Sequence, residues 1–259
     1  MPESHPEKRV AVSPDKETLA AVVGARFLEV LTAAQAAGRV AHISLTGGSM
    51  GGAVLTAALA HPGIEGIDWS RVHFWWSDER FVPSGDAERN ESESRAALLD
   101  RIRIPAENIH AMAASDAGVT VEEGARAYES ELARFADPDA AGAWPSFDVC
   151  FLGVGPDAHI ASLFPDRDEI KVTDRAALAV LDSPKPPPVR ITLTRPVING
   201  SQRIWMVMAG PDKAAALGLA VAGASYARVP AAGAKGRLET TFYVDEAAAA
   251  QLPPSTDDD

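Results

Sequence analysis

Apolar positions recur along this chain with two different periods, and the changes between them outline the elements. Val10-Ala11-Val12 reads as a short strand, and Ser13-Pro14 then supplies an N-cap and a proline at the first helical position. From there Leu19, Val22, Val23, Phe27, Val30 and Leu31 return at helical spacing, and Gly38 closes that helix. Residues 41–45 predict a buried strand, followed by Thr46-Gly47-Gly48-Ser49 and a helix of small residues reaching Ala60. Residues 72–76 predict another strand, ending in Ser77-Asp78-Glu79-Arg80. Helices are expected around 89–102 and 121–135, then strands at 147–152, 177–181, 189–193 and 204–208. A helix from Pro211 to about Ala222 and a last strand at 241–244 complete the series.

Strands alternating with helices predict an α/β fold, a mostly parallel sheet with helices on both faces. Residues 10–252 are read as a single domain, preceded by a flexible segment, 1–9, and followed by a disordered acidic tail, 253–259. The Pro- and Gly-rich stretches 182–188 and 223–236 read as mobile loops within that domain, since neither flank builds an independent core. No internal repeat is present.

Composition narrows the classes of partner. The chain has 259 residues, 46% of them hydrophobic, and a net charge of −12, which argues against nucleic acid or an anionic membrane surface as a partner. An anionic small molecule stays open, because a few cations in one cleft can reverse the local potential. The single cysteine, Cys150, lies in an apolar strand, so no disulfide framework is available and a reducing compartment is expected. The polar N-terminus, and the lack of any run of 18 apolar residues, add the expectation of a cytoplasmic protein.

The chemistry concentrates at strand ends. Gly153-Val154-Gly155-Pro156-Asp157-Ala158-His159 follows the 147–152 strand, so an Asp and a His two residues apart ride on a tight turn where open α/β sheets bind ligands. Histidine exchanges protons near neutral pH, which suits a base, although a lone loop histidine is more often a helix cap. Thr46, Gly47, Gly48 and Ser49 have the makings of an anion cradle at a helix N-terminus, and read alone are equally a Gly turn with a cap. Asp78, Glu79 and Arg80 follow tryptophans, so their charges need partners: Asp78 or Glu79 to hold a substrate hydroxyl, Arg80 to meet an anion or pair with a carboxylate. Arg190 opens a strand, and Lys213 sits in the first turn of a helix, against the macrodipole, where an anionic ligand would explain it.

Several alternatives fall on context. Gly153-x-Gly155-x-x-Ala158 resembles a dinucleotide fingerprint, but Pro165 ends the apolar pattern before a crossover helix can form. There is no Gly-x-Ser-x-Gly elbow, no Walker A lysine and no set of His, Cys and carboxylates at zinc spacing, so neither metal nor cofactor is expected.

Taken together, Leu45 to Ser49, Trp76 to Pro83, Asn90 with its downstream leucines, Gly153 to Pro165, Arg190 to Thr194 and Gly210 to Lys213 resemble the 6-phosphogluconolactonase family, in the order seen there. The match covers nearly the whole chain, and Ser-Asp-Glu-Arg together with His-x-Ala-Ser-Leu-Phe-Pro is its specific part. The resemblance implies a Rossmann-like fold and hydrolysis of a phosphosugar lactone, 6-phospho-D-glucono-1,5-lactone, by a water activated at His159. Asp157 would orient the imidazole, and Arg80 would stabilise the oxyanion. Thr46, Gly47, Gly48, Ser49, Arg190 and Lys213 would hold the phosphate, and Asp78 and Glu79 substrate hydroxyls. The related glucosamine-6-phosphate deaminases carry Ala-Phe-Asn-Glu-Pro at the end of this turn. Here Leu163-Phe164-Pro165 stands instead, without the carboxylate that supports ring opening. A deaminase-type enzyme and a non-catalytic sugar-phosphate binder are the alternatives. Ala158 replaces a glycine usual in both families and would be strained if its φ is positive.

Overall fold

The computed structural model describes residues 6–138 and 142–252. In chain order, β1 is Lys8–Ser13, α1 Lys16–Ala36, β2 Ala41–Leu45, α2 Ser49–Ala60, β3 Val72–Trp76, β4 Asp78–Arg80, α3 Asn90–Ala97 and α4 Val121–Arg134. The remainder is β5 Val149–Leu152, β6 Ala177–Val180, β7 Arg190–Leu193, α5 Arg195–Asn199, β8 Arg203–Met208, α6 Ala214–Val221, β9 Glu239–Asp245 and α7 Glu246–Ala249. Six strands form one all-parallel sheet in the order β1-β9-β8-β5-β2-β3.

Alternation along the central strands divides the apolar residues between two cores. In β8, Trp205 and Val207 face the side covered by α1 and α2, while Ile204, Met206 and Met208 face the other. On the first side Leu19, Val23, Phe27 and Leu31 of α1 are wholly buried. That helix is long and apolar enough to cross a bilayer, yet its apolar stripe is spent on the sheet and on α2. On the second side α4, α6 and α7 join the core, Leu132, Leu217 and Ala248 being fully buried, so both sheet faces are covered as the alternation predicted.

Four details differ from the pattern-based expectations. The α1 cap is Asp15, whose carboxylate accepts from the Thr18 N–H at 2.8 Å; Ser13 is instead committed to pairing with Asp245. Lys8 and Arg9, placed by sequence in a flexible segment, belong to β1 because they extend the sheet edge against Thr240 and Thr241. Residues 1–5 of that segment and the acidic tail 253–259 lie outside the described residues. The helix expected to start at Pro211 begins as a tight 3₁₀ turn, Pro211–Lys213, before α6.

The fourth difference shapes the site. The strands near 177–181 and 189–193 do not join the parallel sheet. They form β6 and β7, which pair antiparallel with each other and, through β7, with β4. A parallel pairing needs a crossover of a dozen or more residues, whereas β6 and β7 are joined by a loop too short to hold one. This small sheet packs on α4, which starts from a capping box: Thr120 Oγ1 accepts from the Glu123 N–H, and Glu123 returns a carboxylate to the Thr120 N–H at 2.8 Å. Thr120→Ala should therefore cost about 1 kcal/mol in chemical denaturation. An unchanged midpoint would show that the box contributes nothing to α4.

Candidate active site

The chain passes from β2 outward to β3 on one side, and from β5 to β8 and β9 on the other, so the strand order reverses between β2 and β5. Side chains beyond the carboxyl ends of these two strands meet in a crevice, the usual ligand position in such sheets. The loops after β2 and β5 are tied together there, Thr46 Oγ1 accepting from the Gly153 N–H at 3.1 Å. Above them opens a cleft of about 270 Å³ lined from both sheets, by Thr46, Gly47, Gly48, Asp78, Arg80, Asn90, Gly155, His159, Lys185, Arg190 and Lys213 among others.

The turn after β5 is built around its histidine. Ala158 donates its N–H to the Gly155 carbonyl at 2.9 Å and has φ +64°, so the position does demand the left-handed region, at a strain of about 1–2 kcal/mol for a residue with a Cβ. The turn is held in that state by the bond from the Ala231 N–H to the Ala158 carbonyl, at 3.0 Å, and by burial of the alanine. Gly155 cannot be replaced at all without movement, since a Cβ there would land on His159 Nδ1 and Asp157 Oδ1. His159 Nδ1 lies 2.6 Å from Asp157 Oδ1, and the ring rests on Phe164 at a centroid distance of 4.6 Å.

Burial works to raise the Asp157 pKa, but the hydrogen bond and charge of His159, with the Lys185 ammonium, outweigh it and hold the carboxyl well below the usual range. An ionised carboxylate can only accept, so Nδ1 carries a proton, and in the neutral ring the lone pair is then left on Nε2. Nε2 has no hydrogen-bond partner among the described residues. A single proton could therefore be taken up at this atom.

The short strand β4 delivers Asp78 and Arg80 to one wall. Asp78 Oδ2 accepts from Ser162 Oγ at 2.7 Å and stands 3.9 Å from Arg190 Nη1; its Oδ1 has only a long contact, 3.4 Å, with Asn90 Nδ2. Arg80 and Arg190 are directly opposed across β4 and β7. Like charges so placed are unfavourable without an anion between or above them.

Glu79 is a correction to the sequence reading. It is 1% exposed and turns away from the cleft, its carboxylate accepting from the N–H groups of Arg80, Asn90 and Glu91 at 2.8, 2.7 and 2.9 Å. It caps the N-terminus of α3, where Arg89 also lies 3.7 Å away, so it cannot hold a substrate hydroxyl. Burial pushes its pKa up to about 7, against the pull of Arg89 and those N–H groups.

The β2 loop is only partly free to cradle an anion. Gly47 is required because a Cβ would strike Asn90 Oδ1, while Gly48 takes φ +86°. The Gly48 N–H donates to Glu93 Oε2 at 2.9 Å, so one donor of the expected cradle already holds a carboxylate. Ser49 opens α2 and is exposed, outside the cleft wall. Lys213 does reach the cleft, with Asp212 3.2 Å from its ammonium.

Arg190 is more deeply engaged than the sequence suggested. Its Nε donates to the Pro187 carbonyl at 3.0 Å, and Nη2 to those of Lys185 and Pro186, both at 3.1 Å. Loop 182–188, read as mobile, is thereby wrapped around an arginine that is 4% exposed. Three residues of the site escaped the reading of individual residues: Lys185 on that loop, Ser162, and the side chain of Asn90. Asn90 Nδ2 donates to the Asp78 carbonyl at 2.7 Å, while its Oδ1 is buried at the cleft without a partner. The only signal for Lys185 was a lone cation in a proline-rich stretch, which by itself says loop.

A family model described as glucosamine-6-phosphate isomerases/6-phosphogluconolactonase matches residues 14–243. The 6-phosphogluconolactonase of Streptomyces coelicolor is 47% identical over 249 residues, 95% of this chain and 95% of that protein. That of Mycobacterium tuberculosis is 46% identical over 247 residues, 94% of this chain and 98% of that protein. Among solved structures, that of devB protein superposes with a TM-score of 0.81 at 28% identity, over 95% of this chain and 100% of that one. The chain belongs to the glucosamine-6-phosphate isomerase/6-phosphogluconolactonase family, on its 6-phosphogluconolactonase side.

Proposed function

We propose that this protein hydrolyses 6-phospho-D-glucono-1,5-lactone to 6-phospho-D-gluconate, the lactone step of the oxidative pentose phosphate pathway, with His159 as general base. The observation that carries the assignment of roles is the His159–Asp157 pair at a cleft whose other charged liners include Arg80, Lys185, Arg190 and Lys213. A phosphorylated lactone has an anion at one end and an electrophilic carbonyl at the other, and the cleft offers cations and a base for the two ends.

In the reaction, Nε2 of His159 takes a proton from water as its oxygen bonds to C1. The carbonyl electrons move to oxygen, and Arg80 is the cation assigned to that developing charge. Collapse of the tetrahedral species breaks the bond from C1 to the ring oxygen, which recovers the proton from the imidazolium. The acid formed ionises, so each turnover releases one proton. Asp157 fixes the Nδ1–H tautomer and favours the transient imidazolium. The phosphate is assigned to Lys213 with the backbone at Thr46 and Gly47 and the positive field of Arg190, while the Gly48 N–H, held by Glu93, and Ser49, outside the cleft wall, drop out of the expected cradle. Asp78 Oδ1 and Asn90 Oδ1 are the acceptors left for sugar hydroxyls. Because both sheets supply liners, the two act as one domain. The buried lone cysteine suits a reducing, cytoplasmic setting.

Proton release on adding fresh lactone, corrected for spontaneous hydrolysis, tests this reading; no excess rate would remove it. Turnover of an amino-sugar phosphate in place of the lactone would move the protein to the deaminase reading. Among the described residues no group of three or more His, Cys, Asp or Glu side chains is placed to hold a metal ion. The rate is therefore expected to survive chelator treatment and desalting, and loss restored by a divalent ion would overturn the metal-free mechanism.

A further inference from the structure

Lys185 is placed where no substrate-binding argument put it. Its ammonium lies 3.4 Å from Asp157 Oδ1 and 3.4 Å from His159 Nδ1, so it faces both members of the base pair at once. The approach is built into the fold. The Lys185 N–H donates to Ser183 Oγ at 3.3 Å, and its carbonyl is held by Arg190, whose guanidinium is buried against Phe164, the ring under His159. A loop with no helix or strand of its own is thus fixed over the histidine by a buried arginine.

We propose that Lys185 is a positioning residue that tunes the base: it opposes protonation of His159 and holds Asp157 ionised, so that the pair stays in its Nδ1–H, Nε2-free form as the pH falls. A carboxylate 2.6 Å from an imidazole favours the imidazolium, which is useless as a base. An ammonium at 3.4 Å opposes that bias, since it repels a second cation while still attracting the carboxylate. The other charged groups around the cleft are Asp78, Arg80, Arg190 and Lys213, with Glu93 behind the β2 loop. Asp78 accepts from Ser162 and faces Arg190 at 3.9 Å, Arg190 donates to loop carbonyls, and Lys213 is paired with Asp212. Lys185 is therefore the cation with direct contact to the pair.

The inference rests on His159 being the base, and its test separates the two ideas. The pH profile of kcat/KM is measured for the native protein, Lys185→Met and Lys185→Arg, alongside NMR titration of the His159 ring in each free protein. Opposite or like charges at this range move titrations by about one unit or more, and partial exposure of Lys185 argues for the lower figure. Lys185→Met should move the acidic limb of the profile and the ring titration up together by about one pH unit, a roughly tenfold loss at pH 6 that shrinks at pH 8.5. Lys185→Arg should restore both. A uniform loss at every pH, with an unmoved ring titration, would overturn the proposal and make Lys185 a substrate contact or a structural prop. A ring titration that moves while the rate profile does not would keep the tuning and reject His159 as the base.

Discussion

Replacing His159 with alanine is expected to lower kcat by about 10²-fold or more, since a positioned general base contributes 10²–10⁴-fold. Binding of the product 6-phosphogluconate should change little, because the assigned phosphate and hydroxyl contacts lie on other side chains. The fold should tolerate the change. Among the described residues the His159 side chain hydrogen-bonds only to Asp157, with the Lys185 ammonium 3.4 Å away, and the turn itself is held by backbone bonds from Ala158 to Gly155 and from Ala231 to Ala158. The fair comparison is single-turnover or steady-state rate against product affinity, with thermal unfolding as the control. Near-normal kcat in a folded variant would remove His159 from the chemistry and turn attention to Asp78, the other carboxylate on the cleft wall. Asp157→Asn offers a second reading of the same pair. An amide can present its N–H to Nδ1 and stabilise the wrong tautomer, so the rate should fall although the size and shape of the residue are kept.

Much of the frame was legible because parallel strands buried on both faces read as short apolar runs, and Val72 to Trp76 and Val149 to Leu152 are such runs. The turn after β5 was legible because glycines and a proline punctuate it and because its Asp and His stand two apart. Pairing was not legible. Nothing local distinguishes Ala177–Val180 and Arg190–Leu193 from strands of the main sheet; the missing crossover helix between them was the available sign. Side-chain direction was equally hidden at Asp78-Glu79-Arg80. Alternation along β4 sends Asp78 and Arg80 one way and Glu79 the other, but that strand is three residues long and follows a continuous apolar run. Once the strand is recognised, Glu79 as a cap for α3 follows from the period of two. Arg190 shows the remaining limit: a cation that sequence assigns to phosphate spends Nε and Nη2 on loop carbonyls 3–5 residues away, a use no motif announces.

That difference between Arg190 and Lys213 sets the second large expected effect. A charge-assisted hydrogen bond is worth about 1.5–3 kcal/mol, so Lys213→Met should raise KM for the phosphorylated lactone about ten- to a hundredfold. Turnover of unphosphorylated glucono-1,5-lactone should be weak in the native protein and barely altered by this change, since its loss concerns only the phosphate end. Arg190→Met is expected to behave differently. Its guanidinium anchors Lys185, Pro186 and Pro187 and stands beside Asp78 and Ser162, so its removal should lower kcat with both substrates as the loop over His159 loosens. The two variants thus separate a phosphate ligand from a loop anchor by the split between KM and kcat and by dependence on the phosphate group. If Lys213→Met affects both lactones equally, the phosphate does not sit at the α6 end of the cleft. Arg190→Met raising KM for the phosphorylated substrate alone would return that arginine to the phosphate and show that the loop holds its shape without it.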